Sequence, residues 1–344
     1  MSTPILETPK GVGDEVVRGD HRLRRILANQ QFILLVVLTA LIIFFATRNS
    51  LFFTTSEFSN LITDFSGLIL IAAAETFVIT SGGIDLAVGS TSAVAGVVGA
   101  FAMQGLLNGH MNEMGVLLIG TLVCAGVGVV AGIVSSVLIT KFMLVPFVAT
   151  LITFSAGAGL ALVFSKGAPI GYNPNAITWS ATGLGMFTWL AIIVIAIALT
   201  LGLLLHFTRY GRYNFAIGSN SFAARVAGIN VQRHIASVYV LSGALAGLTG
   251  MFFYIRGGSG APTTGVTNSA NLQAIAAVVI GGASLTGGVG RYTGTLLGAA
   301  ILTVVTDGLI FINVPPTWIQ VVVAGLIAVA TILQSIRPAM KREQ

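Results

Sequence analysis

Ten stretches of the chain are apolar for close to the length that crosses a bilayer, and no other feature restricts its fold so tightly. They lie at about Phe32–Ala46, Leu61–Thr80, Leu86–Gln104, Met114–Thr140, Phe142–Ser165, Leu184–Phe207, Ile235–Tyr254, Leu272–Gly287, Thr293–Ile312 and Trp318–Ser335. A helix rises about 1.5 Å per residue, so about 20 residues cover roughly 30 Å of hydrocarbon. Glycine interrupts the second, third and eighth runs. Backbone in lipid must satisfy its own hydrogen bonds, so such a chain is all-α: a polytopic membrane protein with about ten transmembrane helices. The scarcity of charge agrees, since only 8% of the 344 residues are charged and 55% are hydrophobic, where a soluble domain carries about a quarter charged residues.

The basic residues set the expected topology, because short cytoplasmic loops collect Lys and Arg. With the N-terminus inside, the inner side holds five basic residues of the tail, then Lys141, Arg209, Arg212, Arg225, Arg233, Arg291, Arg337, Lys341 and Arg342. The outer side holds Arg48, Lys166 and Arg256, which completes the 17 Lys and Arg as fourteen against three. Both ends are therefore expected in the cytoplasm: a tail over residues 1–30, a transmembrane domain over 31–336 with an inner loop at 208–234, and a tail over 337–344. The polar first thirty residues lack the short apolar core and cleavage site of a signal peptide, so the first span reads as an uncleaved anchor. The net charge of +6 is spread over loops and tails and not gathered in a stripe, which argues against a nucleic-acid partner. Cys124 has no second cysteine to pair with in the chain.

Within this apolar background, Glu75 and Asp85 flank a Gly82-Gly83 break. A charge at membrane depth costs roughly 2.5–3.5 kcal/mol on insertion scales, and backbone freed by a glycine break needs partners. Asp85 either caps the helix that comes after Gly83 or takes a direct part in a transport path; Glu75, Gly82, Gly83 and Asp85 are the candidates for that path or its gate. An internal echo adds Gly281 and Gly282: the phrase from Gly82 to Gly89, with Gly99-Ala100 beyond, aligns without gaps to Gly281 to Gly288, with Gly298-Ala299 beyond. Paired breaks in two halves of a chain mark midplane paths in transporters. Glycines four apart, at Gly128 and Gly132, Gly243 and Gly247, and Gly294 and Gly298, read first as close helix packing.

The inner loop from Arg209 to His234 reads as structured. Ser219 or Asn220 can cap a short helix over Ser221 to Ala227, and Gly228 can end it in a left-handed conformation. About two turns of helix are unstable alone in water, so this helix docks on its own spans, on a partner protein or along the membrane interface.

Several phrases, in order, resemble the permease subunits of bacterial ABC importers for ribose, xylose and related sugars. They are Gly82-Gly83-Ile84-Asp85-Leu86, Gly211-Arg212-Tyr213 with Ala216-Ile217-Gly218, Ala223-Ala224-Arg225 with Gly228-Ile229-Asn230-Val231, and Ala274 through Gly282. The likeness runs from about Phe32 to Ser335. It implies a multi-pass protein of the bacterial inner membrane that pairs with a second permease copy as a dimer and binds cytoplasmic ATPase subunits. Those subunits would hold the ATP and Mg, this chain having no cofactor of its own, and an extracytoplasmic binding protein would deliver the sugar. By the same likeness Ala223, Ala224, Arg225, Gly228 and Ile229 fall on the coupling helix that presses into the ATPase. Two departures stand out: Ser221 and Phe222 precede the paired alanines where relatives often have an acidic residue, and Ala87 stands where many have Ser.

The chain has no phosphate loop of the Gly-x-x-x-x-Gly-Lys-Ser/Thr type, which agrees with energy supplied by a separate subunit. His21, His110, His206 and His234 are too far apart in sequence for a metal motif. The competing reading is a secondary transporter in which Glu75 or Asp85 carries a coupling proton; a membrane enzyme is the third class, and no nucleophile–base pairing stands out for it.

Overall fold

The computed structural model describes residues 30–342 apart from 110, 172 and 268. The expected tail over 1–30 thus lies, but for Gln30, outside the described residues. Helix α1 spans Gln30–Arg48, α2 Thr55–Thr80, α3 Val88–Asn108, α4 Glu113–Thr140, α5 Pro146–Ser165, the short α6 Pro174–Ala181 and α7 Trp189–Phe207. Then come α8 Arg209–Ser219, α9 Ser221–Val226, α10 Val231–Gly257, α11 Ala270–Ile280, α12 Tyr292–Phe311 and α13 Pro316–Arg342. A two-strand hairpin, Gly183–Leu184 with Phe187–Thr188, leads into α7. The last helix continues past residue 336, so the second tail is helical as far as Arg342.

Polar residues at the run ends start the helices. Thr54, Asn112, Thr188, Thr208, Asn220 and Asn230 each accept a backbone N–H of the helix they precede, supplying partners that the first turn lacks. Eight of the ten expected spans are helices long and apolar enough to cross a membrane among the described residues. One exception is the eighth run. Its helix α11 has 11 residues and reaches only about 16 Å at 1.5 Å per residue, because the chain turns out of helical geometry at Gly282, after Gly281 as the cap. In the tenth, the apolar described part is Thr317–Val329.

Burial sorts the helices. In the most apolar window of each, α2 is 83% buried and α10 72%, against 11% for α1, 22% for α5 and 28% for α4. The central pair thus carries the core, and the outer helices show Leu, Val, Ile and Phe side chains to their surroundings, as a lipid-facing surface requires.

The spaced glycines are packing seams. A Cβ on Gly128 would stand 2.1 Å from the Gly243 carbonyl oxygen, and one on Gly247 would stand 2.2 Å from that of Cys124, so α4 and α10 touch backbone to backbone. Gly294 and Gly298 bring α12 equally close to Gly281 and Ala277. Cys124 is fully buried in this region, its Sγ donating to the Ala95 carbonyl at 3.2 Å.

Candidate functional site at the two helix breaks

Helix α2 ends where Gly82 takes φ +89°, and the Gly83 N–H donates back to the Val78 carbonyl at 3.0 Å. Helix α11 ends the same way: Gly282 takes φ +93° and the Ala283 N–H donates to Val278 at 3.1 Å. This left-handed ending satisfies late carbonyls and favours glycine. The matching residues are therefore Gly82 and Gly282, which shifts the gap-free alignment of Gly82 with Gly281 by one position. The echo fails further on as well, since Gly89 lies inside α3 whereas Gly288, at φ +73°, lies in a turn.

After the first break the chain turns back into the bundle. The Asp85 N–H donates to Glu75 Oε1 at 3.2 Å, more than a turn before the end of α2. Asp85 Oδ1 accepts the Ala87 N–H at 2.9 Å, and Oδ2 accepts the Ser242 hydroxyl of α10 at 2.7 Å. Helix α3 starts only at Val88, with Ala87 at its cap position. Asp85 thus secures the turn leading into the helix and pins it to α10. Gly83 is required for space: a Cβ there would lie 2.3 Å from the Tyr239 hydroxyl.

Glu75 is fully buried. Its Oε2, like the Tyr292 hydroxyl, has no hydrogen-bond partner among the described residues, while the Tyr239 hydroxyl lies against the Ile84 backbone. Against the start of α3, where Gly265 meets the Gly89 carbonyl, a second stretch of irregular backbone enters the bundle. The described residues between Gly258 and Ser269 form turns, held by paired bonds between Gly260 and Ile170 at 3.0 and 2.9 Å. Helix α11 begins within the bundle, where the Asn271 side chain donates to the Leu86 carbonyl at 3.3 Å. Two helix starts with polar backbone and side chains around them therefore face one interior region. Broken helices create this arrangement, which is tolerated inside a membrane protein only where protein or water covers it.

The breaks meet, but not through Gly281 and Gly282. Gly282 lies against the Gln30 side chain and Gly281 against Gly294. Contact with the first break is made by the next turn of the chain: the Gly288 N–H donates to the Thr80 carbonyl at 3.0 Å, and a Cβ on Gly287 would stand 2.7 Å from the Gly82 Cα. Gly218, at the end of α8, fits between them, its hypothetical Cβ 2.0 Å from the Thr80 oxygen and 2.5 Å from the Gly288 nitrogen. Sequence reasoning quoted Gly218 and Gly288 only within longer phrases and assigned neither of them, nor Gly287, to the meeting of the breaks. In a chain with 42 glycines, nothing local distinguishes those that meet a neighbour.

The loop after α7 contains two helices, not one. Helix α8, an 11-residue segment started by Thr208, was not expected; its mixture of Arg, Tyr and Asn with Gly, Phe, Ala and Ile hides a buried face formed by Gly211, Asn214 and Ile217. Helix α9 is the expected short helix: Asn220 caps it at 2.9 Å from the Ala223 nitrogen, and Gly228 takes φ +84° beyond it. Its faces differ from expectation. Ala224 is buried against Ile217 and Val231 of the same chain, with Ile229 packed on that cluster. Ala223 and Arg225 face outward, as do Phe222 and Val226, each 75% exposed. A groove of about 540 Å³ beside α9 is lined by Tyr210, Tyr213, Gly228, Asn230, Arg233 and His234.

At the opposite end of the bundle, Arg256 clasps Asp64 with two bonds of 3.1 and 3.2 Å and reaches Asn60 at 3.3 Å. These residues line a cavity of about 230 Å³ with Phe52, Glu57 and Asp307. Nothing in the sequence spacing of Asp64, Arg256 and Asp307 brings the three together.

Comparison with known proteins agrees with this architecture. Residues 57–332 match the family described as branched-chain amino acid transport system / permease component. The ribose import permease of Haemophilus influenzae is 35% identical over 318 residues, covering 90% of this chain and 93% of its own length. That of Escherichia coli K12 is 36% identical over 309 residues, covering 88% and 92%. The galactose/methyl galactoside import permease of Salmonella typhimurium is 34% identical over 327 residues, covering 90% and 95%.

Proposed function

The chain belongs to the branched-chain amino acid transport system / permease component family, and on that premise we propose that it forms the membrane path of an ATP-driven importer for a monosaccharide. The observation that carries the substrate class is near-full-length similarity to ribose and galactose import permeases. In this reading the α8–α9 end faces the cytoplasm, where the fourteen-to-three division of basic residues puts it. An ATPase subunit, holding ATP and Mg, seats there. An extracytoplasmic binding protein delivers sugar to the Arg256 end, and a second copy of the permease completes the path as a homodimer.

The structure supports a specific form of docking. Because Ala224 is used inside the chain, the face left for the ATPase is Phe222, Ala223, Arg225 and Val226 together with the groove ending at Gly228 and Ile229. Phe222 and Val226 are four residues apart and so share one side of the helix, which makes the contact apolar where relatives often have an acidic residue. Phe222→Asp should release the ATPase from the tagged permease, whereas Ala224→Trp should first destabilise the packing of α9 on α8 and α10.

The deciding experiment is uptake of D-ribose, D-galactose, D-xylose and L-leucine by cells expressing the complete transporter, with ATP depleted or the proton gradient collapsed. ATP-dependent uptake of a sugar, insensitive to the gradient, is expected. Gradient-dependent uptake lost in Glu75→Gln would replace this reading with the proton-coupled one. Uptake of leucine alone would keep the importer and change its substrate.

A further inference from the structure

Asn214 is fully buried in the middle of α8. Its Nδ2 donates to the Phe77 carbonyl at 2.8 Å and to Thr80 Oγ1 at 2.7 Å, both in the last turn of α2, and its Oδ1 lies 3.2 Å from His234 Nε2 in the first turn of α10. A carbonyl can only accept, so the amide nitrogen must face α2 and the amide oxygen must face His234, whose Nε2 therefore carries the proton. Thr80 passes the direction on, its hydroxyl donating to the Thr76 carbonyl at 2.5 Å. One side chain thus joins three elements with every donor matched to an acceptor.

These bonds lie between two regions already described. On one side, α9 is held to α8 and α10 through Ala224, Ile217 and Val231. On the other, Phe77 and Thr80 stand between Glu75 and Gly82, where the chain leaves helical geometry and turns toward Asp85. Gly218, one turn beyond Asn214, meets the backbone carbonyl of Thr80, the residue whose hydroxyl accepts from Asn214. A displacement of α9 therefore cannot leave the end of α2 unmoved while the amide remains bonded.

We propose that Asn214 is the positioning residue that carries movement of the cytoplasmic helices α8 and α9 to the Gly82-Gly83 break, and so links ATP hydrolysis to opening of the path. This rests on the importer reading above. Thr295 of α12, whose hydroxyl lies 3.1 Å from that of Thr76, extends the effect to the helix after the second break.

The test uses the whole transporter in proteoliposomes, with whichever of D-ribose, D-galactose and D-xylose the wild type takes up. Asn214→Leu removes the bonds at similar size, and Asn214→Asp keeps the shape but cannot donate to Phe77. In both, the ATPase should remain bound with its KM for ATP unchanged, while sugar carried per ATP hydrolysed falls about tenfold. In the isolated permease, amide exchange from Ser81 to Asp85 should rise about tenfold while that of α4 stays as in wild type. Unchanged sugar per ATP in both variants overturns the proposal, whatever the exchange shows. Exchange that rises throughout the bundle also overturns it, because Asn214 would then be a general structural residue. A wild type that takes up none of the three sugars would count against the sugar reading of the importer, and local exchange would still decide whether Asn214 positions the break.

Discussion

The two glycine breaks end their helices with the same backbone geometry and then diverge. After Gly82 the chain returns into the bundle and is secured by a carboxylate, with Asp85 bonded to Ser242, Ala87 and Glu75. After Gly282 it stays near the surface as a turn through Ser284 and Thr286, which bond to each other, and it meets the first break through Gly288. A helix end alone therefore does not define a site here. The residues immediately beyond each glycine decide whether the break becomes polar interior or a lid on its counterpart.

The contrast can be broken most forcefully where the two breaks share a neighbour. Gly218→Val places a side chain where the Cβ alone would stand 2.0 Å from the Thr80 oxygen, so both breaks must separate. A loss of about 3 kcal/mol is expected from overpacking of this kind, read as a lower melting temperature in detergent, and an unchanged melting temperature would contradict the shared seat.

Next in size is the asymmetry of the polar anchors. Asp85→Ala leaves the Ser242 hydroxyl and the Ala87 N–H without their acceptor in a buried place, costing about 2–3 kcal/mol. Ser284→Ala, at an exposed turn, should stay within about 0.5 kcal/mol. Equal losses would mean that the second turn carries as much as the first.

The smallest effect tests what the breaks share. Gly82→Ala and Gly282→Ala force nearly the same positive φ on a residue with a Cβ, at about 1–2 kcal/mol each. Gly82 has no atom closer than 3.8 Å to its hypothetical Cβ, whereas at Gly282 the Gln30 side chain stands at 2.3 Å. Any excess loss at Gly282 therefore measures how firmly Gln30 is held.

Much of this architecture was legible because hydrophobic length and helix-end chemistry are local. The apolar runs, the Asn220 cap and the left-handed Gly228 all arise from a few adjacent residues. The short reach of α11 was partly signalled by Gly281-Gly282, but a run of apolar residues looks the same whether helix or turn occupies its end. The orientation of Ala224 was not legible, since a six-residue helix has no periodicity to show which side faces its own chain. Asn214 was overlooked for a related reason. Its importance comes from partners 137, 134 and 20 positions away, and an isolated Asn in a polar loop carries no sign of them.

The close approach of α3, α4 and α10 also gives the protein a chemical clock. Cys124 Sγ lies 2.3 Å from where a Cβ on Gly99 of α3 would stand, and the Cys124 carbonyl abuts Gly247 of α10. A small alkylating reagent has no approach to this thiol while the three helices remain joined. With reagent in excess, the native chain should be modified no faster than those helices part, so its labelling rate reports the lifetime of the assembled bundle and not its free energy. A permease that opens and closes its path many times around an intact α3–α4–α10 frame would leave the thiol untouched, and only separation of the frame would start the clock.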